Sequence, residues 1–371
     1  MRPLLLLSML ALVACGGRYR GAGRPAPAKV GVEAAALPYA LVDGRTGRAV
    51  TEPELYAALA GARAICVGED HPNPHHHWAQ LTIVDGVATH LRGRRLALGM
   101  EMVQTPFQGV LDDWTAGTID EPALLSRTGW ADRWGYDFAL YRPILERARA
   151  AGMALLALNA PRELVKAVSR KGVDGLSADE RARLPALVLD DAQHRAWFDA
   201  VMDGLAGHGH GHGQGHPTDP HAAPAHGEGA PTPTHGAAPP THGAAPAPGA
   251  APPTDGEAPA HGAAPPAHGH AAPPAGPTAD SIYAAQVVWD ESMAEASHRW
   301  LGAGGETIVI LAGNGHCHDS AIVRRLVRRG GGPAVSIRPI IDDGQGNVAR
   351  ALAEAHNDYL FVMSVPTAAS P

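Results

Sequence analysis

Ala64-Ile65-Cys66-Val67-Gly68-Glu69-Asp70-His71 is the stretch that decides the fold, because an apolar run ends there at a glycine followed by acidic and imidazole groups. Leu96-Ala97-Leu98 leads in the same way into Gly99-Met100-Glu101, and Thr307-Ile308-Val309-Ile310-Leu311 leads into Ala312-Gly313-Asn314-Gly315-His316. Such short apolar runs are typical of buried parallel strands. Ligands of open α/β sheets bind at the carboxyl edge of the strands, so the polar groups after these runs are predicted to share one site. They are Glu69, His71, Glu101 and His316.

The rest of the chain alternates between strand and helix patterns, which predicts an α/β fold with a largely parallel central sheet and helices on both faces, as a single domain. Thr51 and Glu54 form a capping-box pattern, and Asn73-Pro74 is typical of a helix start. Predicted strands cover residues 64–67, 95–100, 153–158, 307–311, 335–340 and 360–365. Predicted helices cover residues 51–59, 73–91, 107–116, 121–127, 142–151, 161–168, 178–205 and 282–300.

The N-terminus predicts export and lipidation. A single charge at Arg2 and an apolar run predict a signal peptide over residues 1–14, too short to span a bilayer. Leu12-Val13-Ala14-Cys15 resembles a bacterial lipobox, which implies an acylated Cys15 that attaches the chain to a lipid membrane. Gly16 after the cysteine favours an outer-membrane lipoprotein that faces the periplasm or the surface. An ordinary secretory signal with a chance cysteine is the alternative, and residues 15–37 are predicted to be a flexible tether.

A block of Ala, Pro, Gly and His interrupts the predicted domain, which covers residues 38–365 and is followed by a tail at 366–371. This insert, residues 206–278, lacks large apolar side chains and is predicted to be disordered. Its histidines could bind metal ions weakly, as a periplasmic metal buffer, or merely titrate in a solubilising linker. They include His208, His210, His212 and His216.

Charge and cysteine content narrow the function classes. The formal net charge of −7 and the lack of a basic stripe make nucleic acid an improbable partner. Cys66 and Cys317 flank the two outer motifs and could form a disulfide in an oxidising compartment. Two buried free thiols are the equally open alternative.

Two carboxylates and two imidazoles at strand ends have two interpretations. Glu69, His71, Glu101 and His316 could hold a divalent ion such as Zn, Mn or Fe, or act as a general-base pair. Alternatively, the carboxylates could cap a helix and pair with an arginine. Three histidines also open the helix after Asn73, where the helix dipole disfavours their protonated form. His77 is the one predicted to face the site, and the others are predicted to be solvated.

An unusually aromatic segment, residues 130–141, precedes Arg142. Its rings could stack on a flat ligand or supply a phenolate to Fe(III), although plain packing is the commoner role. Arg142 could pair with a site carboxylate or hold an anionic group such as a propionate.

Together these motifs resemble the ChaN-like haem-binding uptake family, within the Tiki/TraB/erythromycin-esterase superfamily. The resemblance covers nearly all of residues 38–365 apart from the insert. It rests on Gly68-Glu69-Asp70-His71, Asn73-Pro74, His77, Glu101-Met102, Trp130-Ala131-Asp132-Arg133-Trp134-Gly135-Tyr136-Asp137-Phe138, Tyr141-Arg142-Pro143, Asn159, Ala285-Gln286, Trp289-Asp290, Met293-Ala294 and Gly313-Asn314-Gly315-His316.

The resemblance implies two functions. At family level it implies a haem-binding lipoprotein for haem or iron uptake, in some cases a homodimer, and we take His77, Tyr141, Arg142 and His316 as candidate haem-contacting residues. At superfamily level it implies a metal-dependent hydrolase, in which Glu69, Glu101 and Arg142 would be catalytic. Haem binding is our leading hypothesis. The insert departs from the usual family pattern.

Overall fold

The computed structural model describes residues 31–207 and 276–365. Within them the chain forms two compact units. The first holds the described residues up to Pro161 and from Asp290 onward, and the second holds those between Arg162 and Trp289. The predicted signal peptide, Cys15, the C-terminal tail, tether residues 15–30 and nearly all of the insert lie outside the described residues.

The first unit is built on an eight-stranded sheet in the order β2-β1-β8-β7-β3-β6-β4-β5. Strand β1 is antiparallel to β2 and β8, and all other neighbours are parallel. The predicted α/β class and largely parallel sheet are therefore confirmed. The strands are β1 Tyr39–Asp43, β2 Ala49–Val50, β3 Ala64–Val67, β4 Leu96–Gln104, β5 Ala154–Asn159, β6 Thr307–Leu311, β7 Ala334–Asp342 and β8 Tyr359–Ser364.

The three motif strands are neighbours in the sheet. Strand β6 pairs with both β3 and β4, so that Val67 and Met100 both lie opposite Leu311. Because the strands are parallel, the segments after these three residues leave the sheet at the same edge. This register is what brings residues far apart in sequence to one place.

Helices connect the strands, and several begin at the residues that the sequence predicts. Thr51 forms a capping box with Glu54, and the side chain of Asn73 accepts hydrogen bonds from the backbone N–H groups of His75 and His76. The helices are α1 Glu52–Ala60, α2 Pro74–His90, α3 Gln108–Ala116, α4 Glu121–Thr128, α5 Trp130–Arg133, α6 Arg142–Ala150, α7 Arg162–Lys171, α8 Ala178–Ala182, α9 Ala192–Gly207, α10 Ala279–Gly302, α11 Arg324–Arg328 and α12 Asn347–Glu354. None of these described helices is both long and apolar enough to cross a bilayer.

Apolar side chains are buried on both faces of the sheet. Phe361 and Met363 belong to the main core, which also contains residues of α1, α2 and α6. Leu360 and Val362, which alternate with them along β8, pack with Ala351 and Leu352 of α12 on the other face. Because successive strand residues point to opposite faces, this alternation places helices on both sides of the sheet.

Strand β5 is the last strand at one edge of the described sheet, and a side chain hydrogen bonds to its outer side. The amide of Gln108 donates from Nε2 to the carbonyl of Leu155 at 2.8 Å and accepts at Oε1 from the N–H of Ala157 at 2.8 Å. These are the two hydrogen bonds that one residue of a further parallel strand would make. Asp112 accepts the second Nε2 proton at 2.9 Å and so holds the amide in this orientation.

Four local predictions differ from the structure. The strand predicted over 95–100 continues to Gln104, so Glu101 lies within β4 rather than after it. The helix predicted over 178–205 divides into α8 and α9, since Pro185 lacks a backbone N–H for helix continuation. Strands β1 and β2 were not predicted. The end of the predicted tether forms a 3-10 turn, Val32–Ala35, in which both named residues are buried.

Candidate functional site

A disulfide joins strand β3 and the residues after it to the segment that follows β6. Cys66 and Cys317 are bonded, which decides between the two states that the sequence left open. Asn314 adds two hydrogen bonds between the same segments, from its N–H to the Glu69 carbonyl and from Nδ2 to Asp70 Oδ1, both at 2.9 Å. A Cβ at Gly68 would lie 2.1 Å from Asn314 Oδ1, so this close approach requires glycine. The turn after β3 and the turn after β6 are therefore held together at one edge of the sheet.

Glu69 is the centre of a buried cluster. Its Oε1 accepts from Nδ1 of His71 at 2.6 Å and from the hydroxyl of Tyr141 at 2.8 Å. Nδ1 of His77 lies 3.4 Å from the other oxygen, Oε2. The structure thus brings together Glu69, His71, His77 and Tyr141, all predicted site residues.

His77 has acceptors at both ring nitrogens. Nε2 donates to the carbonyl of His71 at 2.8 Å, and Nδ1 lies 3.2 Å from Oε1 of Gln80. The Gln80 amide is oriented because its Nε2 donates to the carbonyls of Val67 and Gly68. These contacts fix the orientation of the His77 ring beside the Glu69 carboxylate.

The pKa values of Glu69 and Tyr141 are shifted in opposite directions, which favours an ionised carboxylate and a neutral phenol. Burial raises the pKa of Glu69, but the charge of His77 and the hydrogen bonds from His71 and Tyr141 outweigh it, so the pKa lies below its usual value. Burial and the Glu69 charge raise the pKa of Tyr141 well above its usual value. Tyr141 is thus held as a donor to Glu69, which disfavours the phenolate form that Fe(III) requires.

Glu101 and His316 form a second cluster with Asp290, which the resemblance includes but to which the sequence analysis assigns no role in the site. Oε2 of Glu101 accepts the N–H of Gly313 at 2.7 Å, and its Oε1 lies 3.5 Å from Nε2 of His316. Nδ1 of His316 lies 2.7 Å from Oδ1 of Asp290 on α10. Asp290 could have been found, since it is a carboxylate three residues after Val287 and four before Ala294, on the predicted apolar face of its helix.

Gly313 is where the two clusters meet. A Cβ at this position would lie 3.1 Å from Cε1 and 3.3 Å from Nε2 of His71, and 3.8 Å from Oε2 of Glu101. The imidazole of His71 thus packs directly against the glycine turn whose N–H binds Glu101. The four strand-end residues that were predicted to share one site do lie at one place.

Half-buried aromatic rings cover His71. The ring of Trp134 meets the imidazole edge-on at a centroid distance of 4.6 Å, and the ring of Tyr136 lies at 5.0 Å. His71 is only 4% exposed, whereas both aromatic residues are partly open to solvent. We call Trp134 and Tyr136 the aromatic face. These two rings are partly exposed to solvent, whereas Glu69, His71, His77 and Tyr141 are buried.

The other histidines after Asn73 are not solvated as predicted. His76 is 3% exposed, and its Nδ1 accepts the N–H of Asp70 at 2.9 Å. Burial lowers its pKa to about 4, against the opposing charge of Asp70, so it is neutral at pH 7. His75 is half-buried, with Nδ1 2.7 Å from the carbonyl of Ala35. Both side chains are therefore part of the packing around the start of α2.

Arg142 does not pair with a site carboxylate. Its guanidinium hydrogen bonds through Nε and Nη2 to the two oxygens of Glu121, and it lies over the ring of Phe138. This ion pair raises the pKa of Arg142. The strand-end carboxylates instead use histidines, a tyrosine and a backbone N–H as partners.

The predicted divalent-metal site is not found. Among the residues that the structure describes, no group of three or more His, Cys, Asp and Glu side chains is arranged to hold a metal ion. The physical reason is that Glu69 and Glu101 direct their oxygens at separate imidazoles rather than at a common point. The histidines of the insert lie outside the described residues.

Comparison with known proteins places these observations in context. The family described as haem-binding uptake, Tiki superfamily, ChaN, matches residues 55–326. Among solved structures, the chain is similar to ChaN of Campylobacter jejuni, described with cofacial haem binding, at 13% identity and a TM-score of 0.54. The match covers 88% of this chain and 96% of that one. No curated protein matches the chain.

Proposed function

Since this chain belongs to the ChaN-like haem-binding uptake family, we propose that it is a membrane-anchored lipoprotein that binds haem on the aromatic face and serves haem or iron acquisition. The observation that carries the proposal is the half-exposed pair Trp134 and Tyr136 above the buried imidazole of His71. Aromatic rings of this kind offer a planar ligand apolar contact and stacking. The pair lies at the sheet edge where ligands of this fold class bind.

The aromatic face also contains a phenol, the type of group that can bind ferric iron. Tyr136 is the half-exposed phenol of the segment, and a tyrosine oxygen can be an axial ligand of haem iron. When bound, haem supplies a ferric iron that accepts one such donor. The other three candidates are fully buried. Tyr141 donates to Glu69, and His77 contacts the His71 carbonyl and Gln80. His316 lies between Asp290 and Glu101. We therefore propose that Tyr136 is the residue that would hold the haem iron.

Membrane attachment is proposed from the sequence. The run Leu12-Val13-Ala14-Cys15 supports acylation of Cys15, and Gly16 supports the outer membrane. A lipid-anchored haem carrier would be retained at the surface across which haem or iron enters, which fits the uptake role of the family.

The hydrolase alternative receives less support from the geometry. Glu69 and Glu101 are each 1% exposed, and each already binds side-chain or backbone donors. A general base must reach a water molecule or substrate directly. As placed, these carboxylates stabilise the protein interior rather than face a substrate.

A haem titration tests the proposal. The mature full-length chain, and a version with all insert histidines replaced by glutamine, are titrated with haemin while the Soret band is recorded. We expect saturable binding in both, and a changed spectrum with weaker binding in Tyr136→Phe but not in Tyr39→Phe, a phenol on β1. Loss of all saturable binding on replacing the insert histidines would overturn haem binding by the sheet-edge site. Sedimentation of the same samples reports whether haem produces a dimer.

A further inference from the structure

We infer that the amino edge of the sheet, opposite the edge that carries the aromatic face, docks on a membrane surface that contains anionic phospholipids. The inference goes beyond haem binding, and it rests on the proposed function only for the choice of a membrane as the partner. The surface contains Arg63, Arg92, Arg94 and Arg95, which we call the basic edge. Arg63 directly precedes β3, and the other three lie in the short segment between α2 and β4.

The sheet register brings the basic edge together. Strand β6 lies between β3 and β4, so Arg63 and Arg95, which precede those two strands, flank the start of β6. Neighbouring strands are about 4.8 Å apart, which places the two backbones at roughly 10 Å from each other. Both guanidiniums also reach the end of α10. Nη2 of Arg63 donates to the carbonyl of Leu301 at 3.2 Å, and Nη1 of Arg95 donates to that of Ala303 at 2.7 Å.

Carboxylates do not cancel the charge of the basic edge. Arg94 donates from Nη1 to the carbonyl of Ala60 at 2.7 Å, and Arg63 and Arg95 also donate to backbone carbonyls, at the ends of α10 and α11. A helix end carries only about half a negative charge. Glu306, exposed at the same edge, accepts the backbone N–H of Arg95. Among the described residues no carboxylate forms an ion pair with these arginines, so positive charge remains here although the chain has a net charge of −7.

Exposed apolar groups lie beside the arginines. Val327 of α11 is 49% exposed, and the carbonyl of Gly330, three residues later, accepts a hydrogen bond from Nη1 of Arg63 at 3.3 Å. The half-buried ring of Trp300, near the end of α10, has the guanidinium of Arg95 at 6.0 Å from its centroid. Basic groups next to aliphatic and indole side chains are typical of surfaces that lie in a membrane interface. The apolar groups therefore favour a lipid surface over a purely polar polyanion such as nucleic acid.

The length of the chain before the described residues is compatible with this contact. The carbonyl of Ala35 lies 2.7 Å from Nδ1 of His75, so the chain enters the fold at the start of α2, near the carboxyl edge. Helix α2 has 17 residues and spans about 26 Å from there toward the amino edge. Residues 16–30 can span up to about 50 Å when extended. An acylated Cys15 thus permits the basic edge to lie on the same membrane, with the aromatic face directed away from it.

The test measures co-sedimentation with lipid vesicles. It uses the mature chain with Cys15→Ser, so that acylation does not contribute, and with the insert histidines replaced by glutamine. We expect binding to vesicles of phosphatidylglycerol and phosphatidylcholine in equal parts, little binding to phosphatidylcholine alone, and release at high salt. The combined variant Arg92→Gln, Arg94→Gln and Arg95→Gln should bind the anionic vesicles at least tenfold more weakly. Glutamine retains a donor for the helix-end carbonyls.

A matched control removes the same charge elsewhere. Arg48, Arg127 and Arg147 are paired with Glu54, Asp113 and Asp85, respectively. Replacing all three by glutamine should change vesicle binding by less than about threefold, because their charges are already balanced. Val327→Asp should weaken binding as well, since it places a carboxylate where the surface meets the lipid.

The outcomes separate the inference from the proposed function. Equal losses in the two triple variants would overturn it, because the attraction would then follow net charge alone. Absence of binding to anionic vesicles, or equal binding to both vesicle types, would also overturn it. Tighter binding to duplex DNA than to the anionic vesicles would assign the basic edge to nucleic acid instead.

Haem titration of the same variants should be unchanged, and a failure to bind haem leaves the vesicle result valid. Circular dichroism establishes that each variant is folded. If the basic-edge triple variant does not fold, Arg92→Gln decides the question. Arg92 makes no hydrogen bond to any described residue, and its loss alone should weaken vesicle binding about fivefold. Unchanged binding in a folded Arg92→Gln would then overturn the inference.

Discussion

Nδ1 of His71 lies 2.6 Å from Oε1 of Glu69, and both side chains are almost completely withdrawn from solvent. The same carboxylate accepts the hydroxyl of Tyr141 and faces the imidazole of His77. Glu69 therefore organises side chains from the segment after β3, from α2 and from the residue before α6. A buried carboxylate destabilises the folded state unless hydrogen-bond donors compensate its charge, so the protein depends on these partners of Glu69.

Replacing Glu69 by glutamine should destabilise the fold. The substitution removes the negative charge and replaces one carboxylate oxygen by an amide NH2, which can only donate, so either His77 or the pair His71 and Tyr141 loses its acceptor. We expect a loss of about 3 kcal/mol in the free energy of unfolding, measured by urea denaturation. Glu33→Gln, at an exposed site, should change stability by less than about 0.5 kcal/mol. Equal stabilities of the two variants would contradict the buried network.

Acid should destabilise the protein in two steps. His76 has a lowered folded pKa of about 4, so only the unfolded chain takes up its proton as the pH falls from 6.5, and stability decreases until about pH 4. Glu69 also has a lowered folded pKa, so its contribution is present above the unfolded value of about 4.3 and is lost as the pH falls through the folded value. Melting temperatures between pH 8 and pH 3 measure both steps.

A variant separates the His76 step from the rest. His76→Asn retains an acceptor for the N–H of Asp70 but cannot titrate. It should show a smaller loss of stability between pH 6.5 and pH 4, by up to about 3 kcal/mol. An unchanged pH profile in this variant would assign the first step to another group.

Gly313→Ala should disturb the contact between the two clusters. The new methyl group would lie 3.1 Å from the His71 ring, which is held by Glu69 and cannot easily move away. We expect a loss of about 1–3 kcal/mol on thermal unfolding. Gly109→Ala on α3, where no atom lies within 4 Å of the added group, should be neutral or slightly stabilising. If Gly313→Ala changes the free energy of unfolding as little as Gly109→Ala does, the turn can make room for a methyl group beside His71.

Removing the disulfide should cost stability and loosen the turn that carries His316. Cys66 and Cys317 are separated by 251 residues, so the bond closes a very long loop of the unfolded chain. The double serine variant should lose roughly 2–5 kcal/mol, and reductant should lower the melting temperature of the wild type but not of the variant. A thiol assay should establish that the reductant cleaves the bond. If the melting temperature of the wild type then stays unchanged, the disulfide does not stabilise the protein.

Cys15→Ser should release the protein from the membrane. If Cys15 is acylated, wild type labels with radioactive palmitate and sediments with outer membranes, while the variant does neither. Wild type that appears unlabelled in the soluble fraction would replace the lipoprotein proposal with simple secretion.

The sequence alone was sufficient for the parts of the fold that depend on local patterns. Apolar runs ending at glycine located three adjacent strands, and the Asn73-Pro74 signal located the start of α2. The placement of Glu69 and His71 at a sheet edge follows from the same patterns, because the carboxyl ends of parallel strands all lie at the same edge of the sheet.

What the sequence did not reveal depends on partners distant in the chain. Arg142 looks like a ligand clamp until Glu121 is seen beside it, and Tyr141 looks like an iron ligand until its hydroxyl is seen to donate to Glu69. Asp290 was part of the resemblance but was given no role in the site, because one carboxylate on a long helix usually faces solvent. Each case turns on a side-chain contact that no local pattern encodes.

The Gln108 amide that occupies the free edge of β5 also affects how copies of the protein meet. An open edge strand offers a row of backbone groups to another polypeptide, which is how sheets join end to end into aggregates. Here a side chain interrupts that row, and at the opposite edge β2 is only two residues long. Among the described strands, neither edge of the sheet therefore offers a long row of open backbone groups on which the sheets of two copies could join, even at high protein concentration.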